Sequence, residues 1–125
     1  MLKLAVNISL AVQMLAFSEG LLLAERDGVD PQLAAQVMTD SPIGSPMLKA
    51  RAPLVLDLPE DAWFEVSLMQ KDIRLALETG EELGVPLASA RAADEALSTA
   101  SELGYEHRDI AALFQALALN DEAVS

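Results

Sequence analysis

The sequence predicts an all-α fold: a single domain of about six helices led by one long N-terminal helix. Three observations point there. The stretch from Met1 to Asp27 holds no proline and one glycine, Gly20, which costs about 1 kcal/mol relative to alanine inside a helix. Apolar residues make up 52% of the chain and aromatics only 4%, so the core is built from Ala, Leu and Val packed by helices. Leu54-Val55-Leu56 is the only strand-like run, and three residues do not make a sheet.

The elements follow in order. The first helix, Met1–Asp27, is apolar around most of its circumference, with Gly28 as its C-cap. Asp30-Pro31 starts a second helix, an acidic N-cap before proline at the first helical position. It runs to about Thr39 and should turn Leu33, Val37 and Ala34 to the core. Pro42 and Pro46 break the chain into a turn-rich loop over residues 40–46. A short helix from Met47 to about Ala52 then stops near Pro53. Ala62–Leu83 reads as a long amphipathic helix with Val66, Met69, Ile73 and Leu77 on its buried stripe, ended by Gly84 and Pro86. Ala88–Leu103 is a fifth helix, rich in small residues and capped by Gly104. His107-Arg108-Asp109 leads into a last helix, Ile110–Leu119, and residues 120–125 should fray.

Composition removes several functions. The chain has no cysteine and one histidine, so neither a thiolate nor an imidazole zinc site can be assembled. A formal net charge of −12 is the opposite of what a nucleic-acid surface needs. The first helix admits three readings on residue pattern: buried helix, signal peptide or membrane span. Met1-Leu2-Lys3 followed by an apolar run resembles a leader, but Asn7, Ser9, Gln13, Ser18 and Glu19 interrupt it. A span wants roughly 20 predominantly apolar residues. The unbroken continuation into Leu21-Leu22-Leu23-Ala24 favours the buried helix and no membrane.

Few residues could carry chemistry. No glycine-rich dinucleotide or phosphate loop is present. Lys3 and Asn7, four apart, share a face of the first helix. An ammonium in the first turn opposes the helix dipole, an odd placement for stability that suits a lysine holding a carboxylate or relaying a proton to a carbonyl. Gly44-Ser45 and Lys71-Asp72 are the other candidates. Each also has a plainer reading: an exposed lysine near a terminus, a helix–helix hydrogen bond for Asn7, ordinary turn chemistry, and a solvated charge pair. His107 reads as an exposed turn residue.

Taken together these residues resemble a known family. Lys3-Leu-Ala-Val-Asn7 heads a long helix, followed by Glu19 and then Gly28-Val-Asp30-Pro31 without a gap. Gly44-Ser45, Ala52-Pro53, Phe64, Lys71-Asp72-Ile73, Leu83-Gly84-Val85-Pro86-Leu87 and the Gly104–Asp109 turn complete the series. The order and spacing resemble the C-terminal helical domain of the β-hydroxyacid dehydrogenases, the group of 3-hydroxyisobutyrate dehydrogenase related to 6-phosphogluconate dehydrogenase.

That resemblance implies a cytoplasmic oxidoreductase in which Lys3 is the catalytic acid/base and Asn7 binds a small hydroxyacid substrate. It implies that Gly44 and Ser45 line the cleft and that Lys71 faces the cofactor, NAD or NADP. It further implies an N-terminal Rossmann domain lying outside this sequence, so that the chain alone should neither hold a dinucleotide nor turn over, and a homo-oligomer formed through the long helix. Val6 stands where the family often has a second asparagine, and Pro59-Glu60-Asp61-Ala62-Trp63 replaces its usual phenylalanine, proline and glycine. Imine reductases share the two-domain plan but generally lack a lysine at the Lys3 position. A free-standing helical self-association module is the reading from another functional class.

Overall fold

Every other helix packs against α1, Leu2–Arg26. The computed structural model describes the backbone of residues 1–124 and the side chains of residues 1–120. After α1 come α2 (Pro31–Asp40), α3 (Pro46–Leu56), α4 (Val66–Leu83), α5 (Ala88–Ala100) and α6 (Leu113–Val124). A π-helical segment, Ser101–Tyr105, closes α5, and a 3₁₀ turn, Ile110–Ala112, opens α6. Among the described residues there is no strand; Glu65 and Asp109 form an isolated antiparallel bridge. The all-α reading and its six helices hold.

Although α1 is long and apolar enough to cross a membrane, much of it is used internally. Asn7, Ala11, Met14, Leu15, Phe17, Ser18 and Leu21 are buried along it, recurring at three- and four-residue spacing as one core-facing stripe requires. Ala34 and Ala35 of α2, Ala90, Ala93 and Ala100 of α5, and Ala111 and Ala116 near the end of the chain complete a core of small side chains, filled out by Met69, Ile73 and Leu97.

Four details differ from the sequence reading. In α2 the buried residues are Ala34 and Ala35, while Leu33 and Val37 point outward. Small residues let α2 approach α1 closely enough that Met38 reaches Gly20, and the large side chains are left on the far face. The short third helix does not stop at Pro53 but continues through it to Leu56. Proline there removes one helical donor, a cost of about 3 kcal/mol, yet the helix resumes with Asp57 N–H on Pro53 C=O at 3.0 Å. Burial of Ala52 and Val55 offsets that cost. The strand-like 54–56 run is therefore helix.

The third difference is where α4 starts. It begins at Val66 rather than Ala62, because Asp109 accepts hydrogen bonds from the Trp63 and Phe64 N–H groups, both at 3.0 Å, and holds them in a bend before the extended Glu65. Its buried stripe is Val66, Met69, Ile73, Ala76 and Gly80, with Leu77 only partly covered. The fourth difference is at the chain end. The last helix is described to Val124; Ser125 lies outside the described residues, as do the side chains beyond Asn120.

Candidate functional site

Asn7 sits one turn after Lys3 on α1, and both meet Asp72 of α4. The Asn7 Nδ2 group donates to Asp72 Oδ2 at 2.8 Å, and the Lys3 ammonium lies 3.7 Å from that same oxygen. Asn7 is buried, which obliges its amide to find a partner. Asp72 is itself mostly covered, its side chain 13% exposed, whereas Lys3 is 75% exposed. One carboxylate thus fixes the amide from inside and faces the ammonium at the surface. Lys3 has no acidic neighbour in its own first turn, so the charge that offsets the helix dipole comes from across the bundle.

The site is built by packing, not by a loop. Ile73, next to Asp72, is fully buried, as are Met69 and Ala11 nearby along the two helices. An apolar slot of about 140 Å³ runs on from the cluster, walled by Leu4 and Ile8 of α1 and by Ala76 and Gly80 of α4. Gly80 makes room for Leu87, which folds back over α4: a Cβ there would meet Leu87 Cδ1 at 2.7 Å.

Lys71 precedes Asp72 but faces away from it. It is exposed, makes no ion pair among the described residues, and borders a hollow of about 360 Å³ with Ser67, Gln70 and Arg74. Arg74 Nε is held by Asp94 Oδ1 at 3.1 Å, and Gln70 Nε2 by Ser98 Oγ at 2.6 Å. The face therefore offers donors from three side chains, one of them uncommitted. Glu78 borders the same hollow, so its lining is mixed in charge.

Gly44 and Ser45 lie elsewhere, in the connection between α2 and α3, against a later turn of α1. Ser45 caps α3, accepting from Leu48 N–H at 3.0 Å, and its hydroxyl donates to Gln13 Oε1 at 2.8 Å. Gln13 follows Asn7 by six residues, about 9 Å along the helix axis. A Cβ on Gly44 would land on the Thr39 carbonyl, so any side chain there forces the backbone to shift. The structure thus brings Lys3, Asn7 and Asp72 together, puts Lys71 on the adjoining face, and anchors Gly44-Ser45 further along α1. His107 is exposed, with Nδ1 3.4 Å from Glu65 Oε2.

Sequence reasoning singled out Asp72 only as the neighbour of Lys71, and Asp109 only as a lead-in to the last helix. Asp109 is fully buried, takes the Ala111 N–H at 2.9 Å in addition to those of Trp63 and Phe64, and faces Arg51 Nη1 at 3.8 Å. Arg51 in turn lies over the Trp63 ring at 5.7 Å. An aspartate directly before an apolar run was the available signal for a cap. Nothing local signals the long-range partners of either aspartate.

Comparison with known proteins identifies the family of the chain as a whole. The family described as NAD-binding of NADP-dependent 3-hydroxyisobutyrate dehydrogenase matches residues 1–117. The chain is 34% identical over 121 residues to glyoxylate/succinic semialdehyde reductase 1 of Arabidopsis thaliana, covering 97% of this chain and 42% of that protein. It is 32% identical over 116 residues to the chloroplastic reductase 2 of the same plant, covering 93% of this chain and 32% of that protein. The crystal structure of 3-hydroxyisobutyrate dehydrogenase (ygbJ) from Salmonella typhimurium superimposes with a TM-score of 0.84 at 27% identity, over 91% of this chain and 40% of that one. The chain thus spans well under half the length of these relatives. On the match to residues 1–117, the chain belongs to the 3-hydroxyisobutyrate dehydrogenase-like family.

Proposed function

We propose that this chain is the helical, substrate-side domain of an NAD(P)-dependent dehydrogenase acting on a small β-hydroxyacid or the matching semialdehyde. The observation that carries the reading is the Lys3–Asp72–Asn7 cluster: a surface ammonium held beside a buried amide by one carboxylate. In oxidation, Lys3 as the free amine takes the proton of the substrate hydroxyl; in reduction, Lys3 as the ammonium returns it to the carbonyl oxygen. Asp72 holds the Lys3 head over the reacting oxygen. Asn7 spends one amide hydrogen on Asp72, leaving the second hydrogen for a substrate carboxylate and its carbonyl oxygen for a hydroxyl. A bound nicotinamide dinucleotide supplies or accepts the hydride. Lys71 would meet its phosphates, and Gly44-Ser45 would line the cleft beyond Asn7. The relatives' greater length supports a separate dinucleotide-binding domain completing the enzyme.

The test is Lys3→Ala in the chain joined to a family dinucleotide-binding domain. Turnover should fall by a factor of 10² or more, the usual share of a general acid/base, with cofactor affinity nearly intact. Wild-type turnover in the variant would sink the assignment. Calorimetry on the isolated chain should find no low-micromolar NAD(P) binding, and such binding would show that the chain is not a half-site. The non-catalytic module remains the second reading, favoured by the exposed Leu2, Val6, Leu23, Leu33 and Val37 side chains.

A further inference from the structure

Resting on the reaction proposed above, we infer that Val6 sets the substrate class of the site. The acid it selects bears an alkyl group, not a hydroxyl, on the carbon between the reacting carbon and the carboxylate.

Asn7 and Val6 both stand about one turn on from Lys3, on opposite sides of it. With 3.6 residues per turn, Asn7 lies roughly 40° round the helix to one side and Val6 roughly 60° to the other. Asn7 is on the side that meets Asp72 of α4. Val6 is on the side away from α4 and is 64% exposed. A substrate with its reacting oxygen at the Lys3 head and its carboxylate at the Asn7 amide is closed in by α4 on the Asn7 side. A substituent on its middle carbon therefore turns to the Val6 flank.

That flank offers no hydrogen-bond partner. Lys3, Val6, Leu10 and Gln13 follow one another along one seam of α1. Leu10 packs against the core. Gln13 is committed to the connection before α3: its Nε2 donates to the Ile43 carbonyl at 3.3 Å, and its Oε1 accepts from the Ser45 hydroxyl at 2.8 Å. The Lys3 ammonium is taken by Asp72 and the reacting oxygen. A methyl group against Val6 buries apolar surface and gives up nothing. A hydroxyl of the same size gives up its water and finds no replacement.

Two racemic acids of one shape test this, 3-hydroxyisobutyrate with a methyl group on the middle carbon and glycerate with a hydroxyl. Steady-state oxidation of each is measured in the chain joined to a family dinucleotide-binding domain. kcat/KM for the methyl acid should exceed that for the hydroxyl acid by roughly ten- to a hundredfold, the range an apolar pocket achieves against a hydroxylated isostere. Val6→Thr adds a hydroxyl to the flank at nearly unchanged shape and should narrow that ratio about tenfold. A residue that only shaped the helix would move both acids together and leave the ratio alone. Equal or reversed preference in the wild type would overturn the inference, and so would a Val6→Thr ratio equal to that of the wild type. Oxidation of neither acid would sink the proposed reaction and this inference with it, whereas oxidation of both without preference sinks the inference alone. Val6 is exposed, so folding is not at stake, and circular dichroism on the variant checks this.

Discussion

Asn7 and Asp72 lie 65 residues apart in sequence and are joined by a 2.8 Å hydrogen bond that crosses from α1 to α4. The same Asp72 oxygen faces the Lys3 ammonium. Asp72 therefore has two loads, one inside the bundle and one at its surface, and they separate under mutation.

Asp72→Ala leaves the buried Asn7 amide without its acceptor and should destabilise the domain by about 1–3 kcal/mol. Asp72→Asn keeps an acceptor oxygen of the same shape and should cost less. Urea unfolding midpoints with unchanged slopes report this. Equal midpoints for Asp72→Ala and the wild type would show that the amide does not depend on Asp72.

Lys3→Ala should change stability by no more than about 0.5 kcal/mol, because an ion pair with one partner 75% exposed is worth little. Thermal unfolding of the chain alone measures it. Set beside the large turnover loss expected in the joined enzyme, this separates a working lysine from a structural one. A stability loss of several kcal/mol would place Lys3 among the structural residues.

Asp109→Ala removes the acceptor for the Trp63, Phe64 and Ala111 N–H groups at once. The loss should be at least about 3 kcal/mol, since each buried donor left unpaired costs on the order of 1–3 kcal/mol. Trp63 is the only tryptophan, so its emission reports the same event. Release of the segment should separate the indole from Arg51 and shift the spectrum in the folded state. An unchanged spectrum and midpoint would mean that other contacts hold residues 62–65.

Gly44→Ala drives a methyl group into the Thr39 carbonyl and should cost about 1–3 kcal/mol, as overpacking does. Ser45→Ala loses the α3 cap and the bond to Gln13, for about 1 kcal/mol or somewhat more. Equilibrium unfolding of both variants checks the order. A Gly44→Ala chain as stable as the wild type would mean that the turn can shift away from Thr39.

Where the fold was legible, a local signal coincided with a packing need. Asp30-Pro31 marks the start of α2, and Gly84, in the left-handed conformation at φ 70°, marks the end of α4. It was illegible where a distant residue decides a local conformation. Residues 62–65 carry no helix breaker, yet Asp109 holds Trp63 and Phe64 in a bend outside the helix. Pro53 carries the strongest breaker available, yet burial of Val55 keeps the helix going. The same rule governs the site. Lys3 and Asn7 share a face by spacing alone, so the sequence could pair them. Their common partner comes from another helix, and only the three-dimensional packing identifies Asp72 among 20 acidic residues.

All three members of the cluster stand on helices whose neighbours are core residues, and none sits on a turn. Their relative positions are therefore settled when the bundle forms, and the conformational entropy of arranging them is spent during folding, not at each encounter with a ligand. The exposed Lys3 side chain is the member left with freedom to swing. A site so divided has a rigid reference point and a single moving arm. Thermal motion at this end of the bundle should thus appear as reorientation of one ammonium over a stationary amide and carboxylate.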